Sequence, residues 1–282
     1  MDTIWEVLKA LLQGVVQGIS EWLPISSTGH LILVDRFLPF SFSQDFFDLF
    51  KVLIQLGSIF AVVVLYFRKL NPFALSKTSQ EKKATWRLWG MVLIASIPAM
   101  IVGVPLDDLI DGVLSDPIVI AATLIIYGIL FIWMESRPRT PRVHTPGEVG
   151  WRLALGIGCF QVLALIPGTS RSGATILGAV LLGCSRYTAA EFSFFMAIPA
   201  MAGASALKVL KFLLDGLALS AVEWLVLMVG MVVSFVVSLL VIRFLMDFIK
   251  KHDFKPFGWY RIVLGLVLIL LITLGALDSI IA

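Results

Sequence analysis

Two apolar stretches of this chain are each broken near the middle by a run of polar and helix-punctuating residues. Residues 4–38 are cut at Glu21-Trp-Leu-Pro-Ile-Ser-Ser-Thr-Gly-His30, and residues 153–182 at Pro167-Gly-Thr-Ser-Arg-Ser-Gly-Ala-Thr175. The halves beside each cut are shorter than the ~20 residues a helix needs to cross a bilayer. Six other stretches approach or reach that length unbroken: 48–67, 88–104, 118–134, 192–209, 222–244 and 259–274. The chain is 59% hydrophobic and 15% charged, where a soluble domain is about 25% charged. Polar groups this scarce cannot cover a surface, so lipid is the solvent. Backbone polar groups must then be satisfied inside the protein. Each broken stretch predicts a re-entrant hairpin: a short helix in, a polar turn at depth, a short helix out. The fold class that follows is an all-α polytopic membrane protein with six transmembrane helices and two re-entrant helical hairpins.

The order is hairpin, three spans, hairpin, three spans, within one integral membrane domain over residues 1–282. Repeat one covers about 1–135 and repeat two about 150–282. Pro24 and Pro167 are 143 positions apart, as are Ser27 and Ser170, and Asp48 and Glu191. A hairpin returns to its own side and three spans do not, so the repeats are expected to be inverted, as in transporters. Charge orients them. Of the 22 Lys and Arg, sixteen fall in three loops on one side: residues 68–87, the surroundings of the second hairpin, and a last loop holding Arg243, Lys250, Lys251, Lys255 and Arg261. The opposite side has Lys9, Arg36, Lys51, Lys208 and Lys211, with acids in an outer loop at Asp107, Asp108, Asp111 and Asp116. The positive-inside rule makes the rich side cytoplasmic. The net charge of +3 carries no nucleic-acid signature. Cys159 and Cys184 read as small core residues. Pairing of two copies as a homodimer is left open by the sequence.

The second helix of each hairpin starts near the midplane with its free N–H groups and positive dipole end facing inward. Two such starts facing each other make an anion site. Arg171, at membrane depth, needs an anionic partner. That partner is either Glu21, in a structural pair, or a phosphate gripped by the planar fork. Thr169, Ser170 and Ser172 surround it, and Thr175 shares its helical face. Glu21 is the one acid in either break; with Gln17 a turn earlier it suits Mg²⁺ or Ca²⁺, since one or two protein oxygens plus substrate phosphates suffice. Gln13 and Gln17 alternatively bond between helices beside a Gly14-x-x-x-Gly18 packing face. Ser26, Ser27 and Thr28 are candidate caps or phosphate ligands. Ser27 and His30, three apart on one face, let an imidazole approach a serine hydroxyl, the arrangement that activates a weak nucleophile. Asp48 and Glu191, each just before a span, read as caps. Most Trp and Phe read as belt or lipid-facing surface.

The block from Gln17 through Glu21 to Ser26-Ser27-Thr28-Gly29-His30, together with Pro167-Gly-Thr-Ser-Arg171-Ser-Gly-Ala-Thr175, resembles the bacterial undecaprenyl-diphosphate phosphatases of the bacitracin-resistance type. The resemblance extends over essentially the whole chain. It implies hydrolysis of undecaprenyl diphosphate to the monophosphate and phosphate, recycling of the cell-wall lipid carrier, metal dependence, and a site reached from the outer face of the bacterial plasma membrane. It implies catalytic roles for Glu21, Ser27, His30 and Arg171, and a metal or diphosphate role for Glu21 and Gln17. Many members carry Glu where this chain has Gln17. A transporter or flippase of a polyprenyl phosphate is the alternative, because inverted repeats and broken helices are transporter features and fold does not decide function.

Overall fold

The computed structural model describes residues 3–113, 116–137 and 139–275, without the side chains of 104 and 107–113. Within them are eleven α-helices: α1 Thr3–Ser20, α2 Ser27–Phe37, α3 Gln44–Leu65, α4 Phe67–Leu70, α5 Ser79–Val113, α6 Pro117–Glu135, α7 Trp151–Val162, α8 Arg171–Leu181, α9 Arg186–Leu214, α10 Ala221–Phe248 and α11 Lys255–Thr273. Six of them, α3, α5, α6, α9, α10 and α11, are long and apolar enough to cross a membrane. They are the six expected spans, mostly extended at one or both ends. α2, α7 and α8 have 11, 12 and 11 residues, about 17 Å each at 1.5 Å per residue. The 18 residues of α1 make it longer than the sequence breaks suggest. At about 27 Å it nearly matches the hydrocarbon thickness.

The helix ends are set by local chemistry. Ser43 caps α3 through Phe46 N (3.2 Å), and Ser185 caps α9 through Thr188 N (3.1 Å). Asp116 caps α6 just before Pro117, which needs no partner for its missing N–H. Ser220 and Glu223 form a reciprocal capping box on α10. Asp48 and Glu191 are therefore not caps. Asp48 sits a turn inside α3, 2.8 Å from Lys51 and 3.8 Å from Lys208. Glu191, buried in α9, accepts from Lys69 at 2.7 Å and 2.8 Å. The expected acidic outer loop is also corrected: the backbone of 107–111 continues α5, since nothing after Pro105 breaks the helix before Val113. The side chains of Asp107, Asp108 and Asp111 lie outside the described residues; Asp116 is exposed.

The polarity of the fold is inverted relative to a soluble protein. α1 turns Ile4, Trp5, Leu8, Leu11, Leu12 and Ile19 outward and buries Glu6, Lys9, Gln13, Gln17 and Ser20. Such a helix is stable only where the surroundings are apolar and the interior supplies polar partners. Glu6 finds them in Lys9 and in Ser41 of the following loop, both at 2.9 Å. Cys184 is buried as expected, but Cys159 is exposed on the outer face of α7.

Helix pairing brings the two breaks together. α1 packs on α10, α7 on α5, α6 on α11, and α3 runs between α9 and α10. Small residues allow the close approaches, as is general between helices in lipid. A Cβ on Gly14 would lie 2.7 Å from Gly230 O, and one on Gly128 the same distance from Gly258 O. α2 and α8 consequently start beside one another at the centre of the bundle.

Candidate active site

Each break ends in a serine that starts a helix. Ser26 caps α2 and Ser170 caps α8, and they are the two non-glycine residues with positive φ among those described, at 76° and 72°. A non-glycine residue in this region is strained and recurs at functional sites. The hydroxyls accept from Gly29 N at 3.5 Å and from Gly173 N at 3.2 Å, satisfying helix-start donors. Ser26 and Ser170, 144 apart, thus play the same capping part, and Ser27 and Arg171 are each the first residue of their helix.

Those two residues converge on one carboxylate. Glu21 is buried and accepts on Oε2 from Ser27 Oγ (2.8 Å) and Gln17 Nε2 (3.0 Å), and on Oε1 from Arg171 Nη2 (3.3 Å). The other fork nitrogen of Arg171, Nη1, donates to Ser193 O at 2.8 Å. Ser193 also joins Thr175, hydroxyl to hydroxyl at 2.6 Å. Below the guanidinium lies Trp22, its ring centroid 5.9 Å away and packed edge-on against Phe194 at 5.2 Å. Trp22 is 0% exposed, unlike the membrane-facing Trp5, Trp86, Trp133, Trp151, Trp224 and Trp259.

Ser172 ties the turns rather than facing the cleft, donating between Glu21 O (3.1 Å) and Leu23 O (3.3 Å), with Ser170 Oγ at 3.1 Å. Thr28 is half-buried on the first turn of α2. Four buried polar atoms near the two breaks have no hydrogen-bond partner: Arg171 Nε, Thr169 Oγ1, Gln17 Oε1 and Trp22 Nε1. Buried polar atoms are nearly always paired, so such a group needs a reason. A polyanion gripped between the two breaks would pair with the donors among them. Gln13 lacks a partner on both amide atoms, so it does not make the expected interhelical bond. Gly14 and Gly18 do form the packing face, against α10.

His30 is not where its spacing from Ser27 suggests. Its Nδ1 lies 2.6 Å from Ser26 O, one turn back along α2, and its Nε2 lies 2.6 Å from the Tyr260 hydroxyl. A carbonyl only accepts, so Nδ1 carries the proton and neutral Nε2 accepts from the phenol. The Tyr260 ring stacks on the imidazole, 5.6 Å between centroids and 6° between planes.

Arg261 overturns its placement in the last basic loop. It lies two turns inside α11, is 0% exposed, and donates to Pro24 O (3.1 Å), Gly168 O (2.8 Å), Thr169 O (2.9 Å) and Leu124 O (3.5 Å). Its guanidinium stands 5.4 Å over the Tyr127 ring. Arg261 and Tyr260 were both missed among the site's neighbours. The available signal was an arginine enclosed by the apolar run 259–274, as expensive there as Arg171 is in its own.

A family model described as "Bacitracin resistance protein BacA" matches residues 10–267. A protein named "Undecaprenyl-diphosphatase 1" from Clostridioides difficile is 57% identical over 267 residues, covering 95% of this chain and 96% of its own. An "Undecaprenyl-diphosphatase" from Lactiplantibacillus plantarum is 58% identical, covering 94% of this chain and 97% of its own. Another of that name, from Acetivibrio thermocellus, is 55% identical over 94% of this chain and 97% of its own. On a match that runs through both polar breaks and from α1 into α11, the chain belongs to the BacA bacitracin resistance family.

Proposed function

We propose that this protein hydrolyses undecaprenyl diphosphate to undecaprenyl phosphate and inorganic phosphate, recycling the cell-wall lipid carrier and giving bacitracin resistance. The observation that carries the reading is the Glu21–Ser27–Arg171 cluster between two helix starts, with the Arg171 Nε and Thr169 donors left over. Helix starts and a guanidinium suit a diphosphate, and phosphoryl transfer is catalysed chiefly by positioning and electrostatics. Thr28, Thr169, Ser170 and Thr175 are assigned to the phosphate site, and Ser26 and Ser172 to shaping it.

In the proposed reaction Ser27 Oγ attacks the terminal phosphorus, its proton passes to His30, and undecaprenyl phosphate leaves with the bridging oxygen. Water then releases phosphate from the phosphoserine. For this, Ser27 Oγ must turn away from the Glu21 carboxylate to which it donates, and His30 Nε2 must give up the Tyr260 hydroxyl. The rival step is direct attack by a water that His30 deprotonates. Glu21 and Gln17 would hold Mg²⁺ or Ca²⁺. Gln17 turns Nε2 to the carboxylate and leaves Oε1 as an unpartnered acceptor, so an ion shared with the substrate would be held by both residues once the amide turns over. No cluster of three or more His, Cys, Asp or Glu occurs among the described residues, so a cation there would have to take its other ligands from phosphate and water. Bound there, the ion would offset charge on the phosphate oxygens. All of these residues come from one chain, so the reaction asks for no second copy.

The two broken segments are read as re-entrant hairpins of an inverted repeat. Exchanging the halves turns the α1–α10 contact into α7–α5 and maps α6–α11 and α3–α9 onto themselves, which supports this reading. With Arg261 removed from the count, fifteen basic residues remain on the side assigned to the cytoplasm of a bacterial plasma membrane. The first hairpin and the site then open outward. Paired broken helices also favour a second reading, a flippase of polyprenyl phosphate. Phosphate release by detergent-solubilised protein decides, since a pure transporter releases none. Label from a terminally ³²P-marked substrate trapped on Ser27 supports the covalent route, and full activity in Ser27→Ala excludes it.

A further inference from the structure

We infer that Arg261 is a positioning residue that clamps the two catalytic turns to each other, an inference that rests on the phosphatase reading above. Its fork is divided between the breaks: Nη1 holds Pro24 O of the first, and Nη2 holds Gly168 O and Thr169 O of the second. Nε reaches Leu124 O of α6, so three parts of the chain meet on one side chain. Each acceptor is a main-chain carbonyl, and among the described residues no carboxylate pairs with it. A buried arginine whose charge is not neutralised by an acid is costly to retain, and a single ammonium could not reproduce its geometry. The cost is met by carbonyls of the two buried turns, which gain in Arg261 the donors that buried main-chain groups need.

The position of the clamp ties it to the chemistry. A Cβ on Gly173 would lie 3.1 Å from Arg261 Nη1, so the guanidinium sits against the start of α8, beside Arg171. The preceding residue on α11 is Tyr260, which holds His30 Nε2. One turn of α11 thus fixes the relative placement of Ser27 and Arg171 from behind while touching neither.

The test uses the full-length protein in detergent. Arg261→Lys keeps a charge but reaches one turn at a time. Amide hydrogen exchange should accelerate several-fold in both 22–30 and 166–175 together, with α1 and α10 unchanged. kcat should fall at least tenfold, and KM should change less. Gly173→Ala, which presses on Nη1 without removing it, should give the same pattern in milder form and serves if Arg261→Lys does not accumulate. Accelerated exchange in only one turn, or throughout the bundle, overturns the clamp, as does kcat within twofold of the parent in a folded Arg261→Lys. A parent that releases no phosphate sinks the phosphatase reading alone, because the exchange result is read without activity.

Discussion

Arg171 and Glu21 form the pair that either a structural or a phosphate-binding arginine would make, and the fork separates the two. Arg171 spends one nitrogen on Glu21, one on Ser193 O, and leaves Nε unpartnered. Lysine at this position cannot keep both bonds. Hydrogen bonds to charged groups contribute about 1.5–3 kcal/mol, so Arg171→Lys should lower kcat/KM roughly 10- to 150-fold. A phosphate-release assay reads it, and activity within threefold of the parent would make the pair merely structural. Gln17→Glu asks a different question. A second carboxylate beside Glu21 raises the local negative charge, so the variant should reach half-maximal activity at a lower Mg²⁺ concentration. A metal titration after chelation checks this, and an unchanged midpoint would remove Gln17 from the proposed cation site.

Among the elements, the two helix starts are the most exacting. Ser170 combines a cap bond to Gly173 with φ at 72°. Alanine loses the cap, typically ~1 kcal/mol, and keeps the left-handed strain that the parent serine already carries, roughly 1 kcal/mol. Glycine relieves the strain and caps almost as well. Thermal unfolding in detergent should therefore rank parent and Ser170→Gly close together, with Ser170→Ala lowest. The seam between α1 and α10 is equally intolerant of bulk. Gly14→Val would drive a side chain into the Gly230 carbonyl, 2.7 Å from the added Cβ, and overpacking costs typically 1–3 kcal/mol. Yield of folded protein on size exclusion should drop sharply for Gly14→Val and stay near normal for a lipid-facing change such as Leu11→Val.

At the scale of the whole molecule, the six spans and both polar breaks were legible because apolar length and its interruption are coarse signals that survive errors of a few residues. Glu21 and Arg171 were legible as partners because a charge is expensive at depth; the Ser27 bond to Glu21 was not, because the spacing pointed Ser27 at His30 instead. His30 was not, since spacing along a helix gives a shared face and not a direction, and Tyr260 sits 230 positions away. Asp48 and Glu191 misled because the apolar count begins several residues inside the true helices, whose caps are the polar Ser43 and Ser185. Arg261 was counted with the basic loop before it, although the same apolar run encloses it. The assigned orientation is open to test: in intact cells Asp116→Cys should react with a membrane-impermeant maleimide and Lys77→Cys should not. The reverse pattern would put the site on the cytoplasmic side.

The clamp from α11 also bears on biogenesis. A nascent chain that has delivered everything through α10 already carries Ser27, His30, Glu21 and Arg171, yet not the guanidinium that grips both of their turns. Maturation of the centre would then await insertion of α11 rather than synthesis of any of those four side chains.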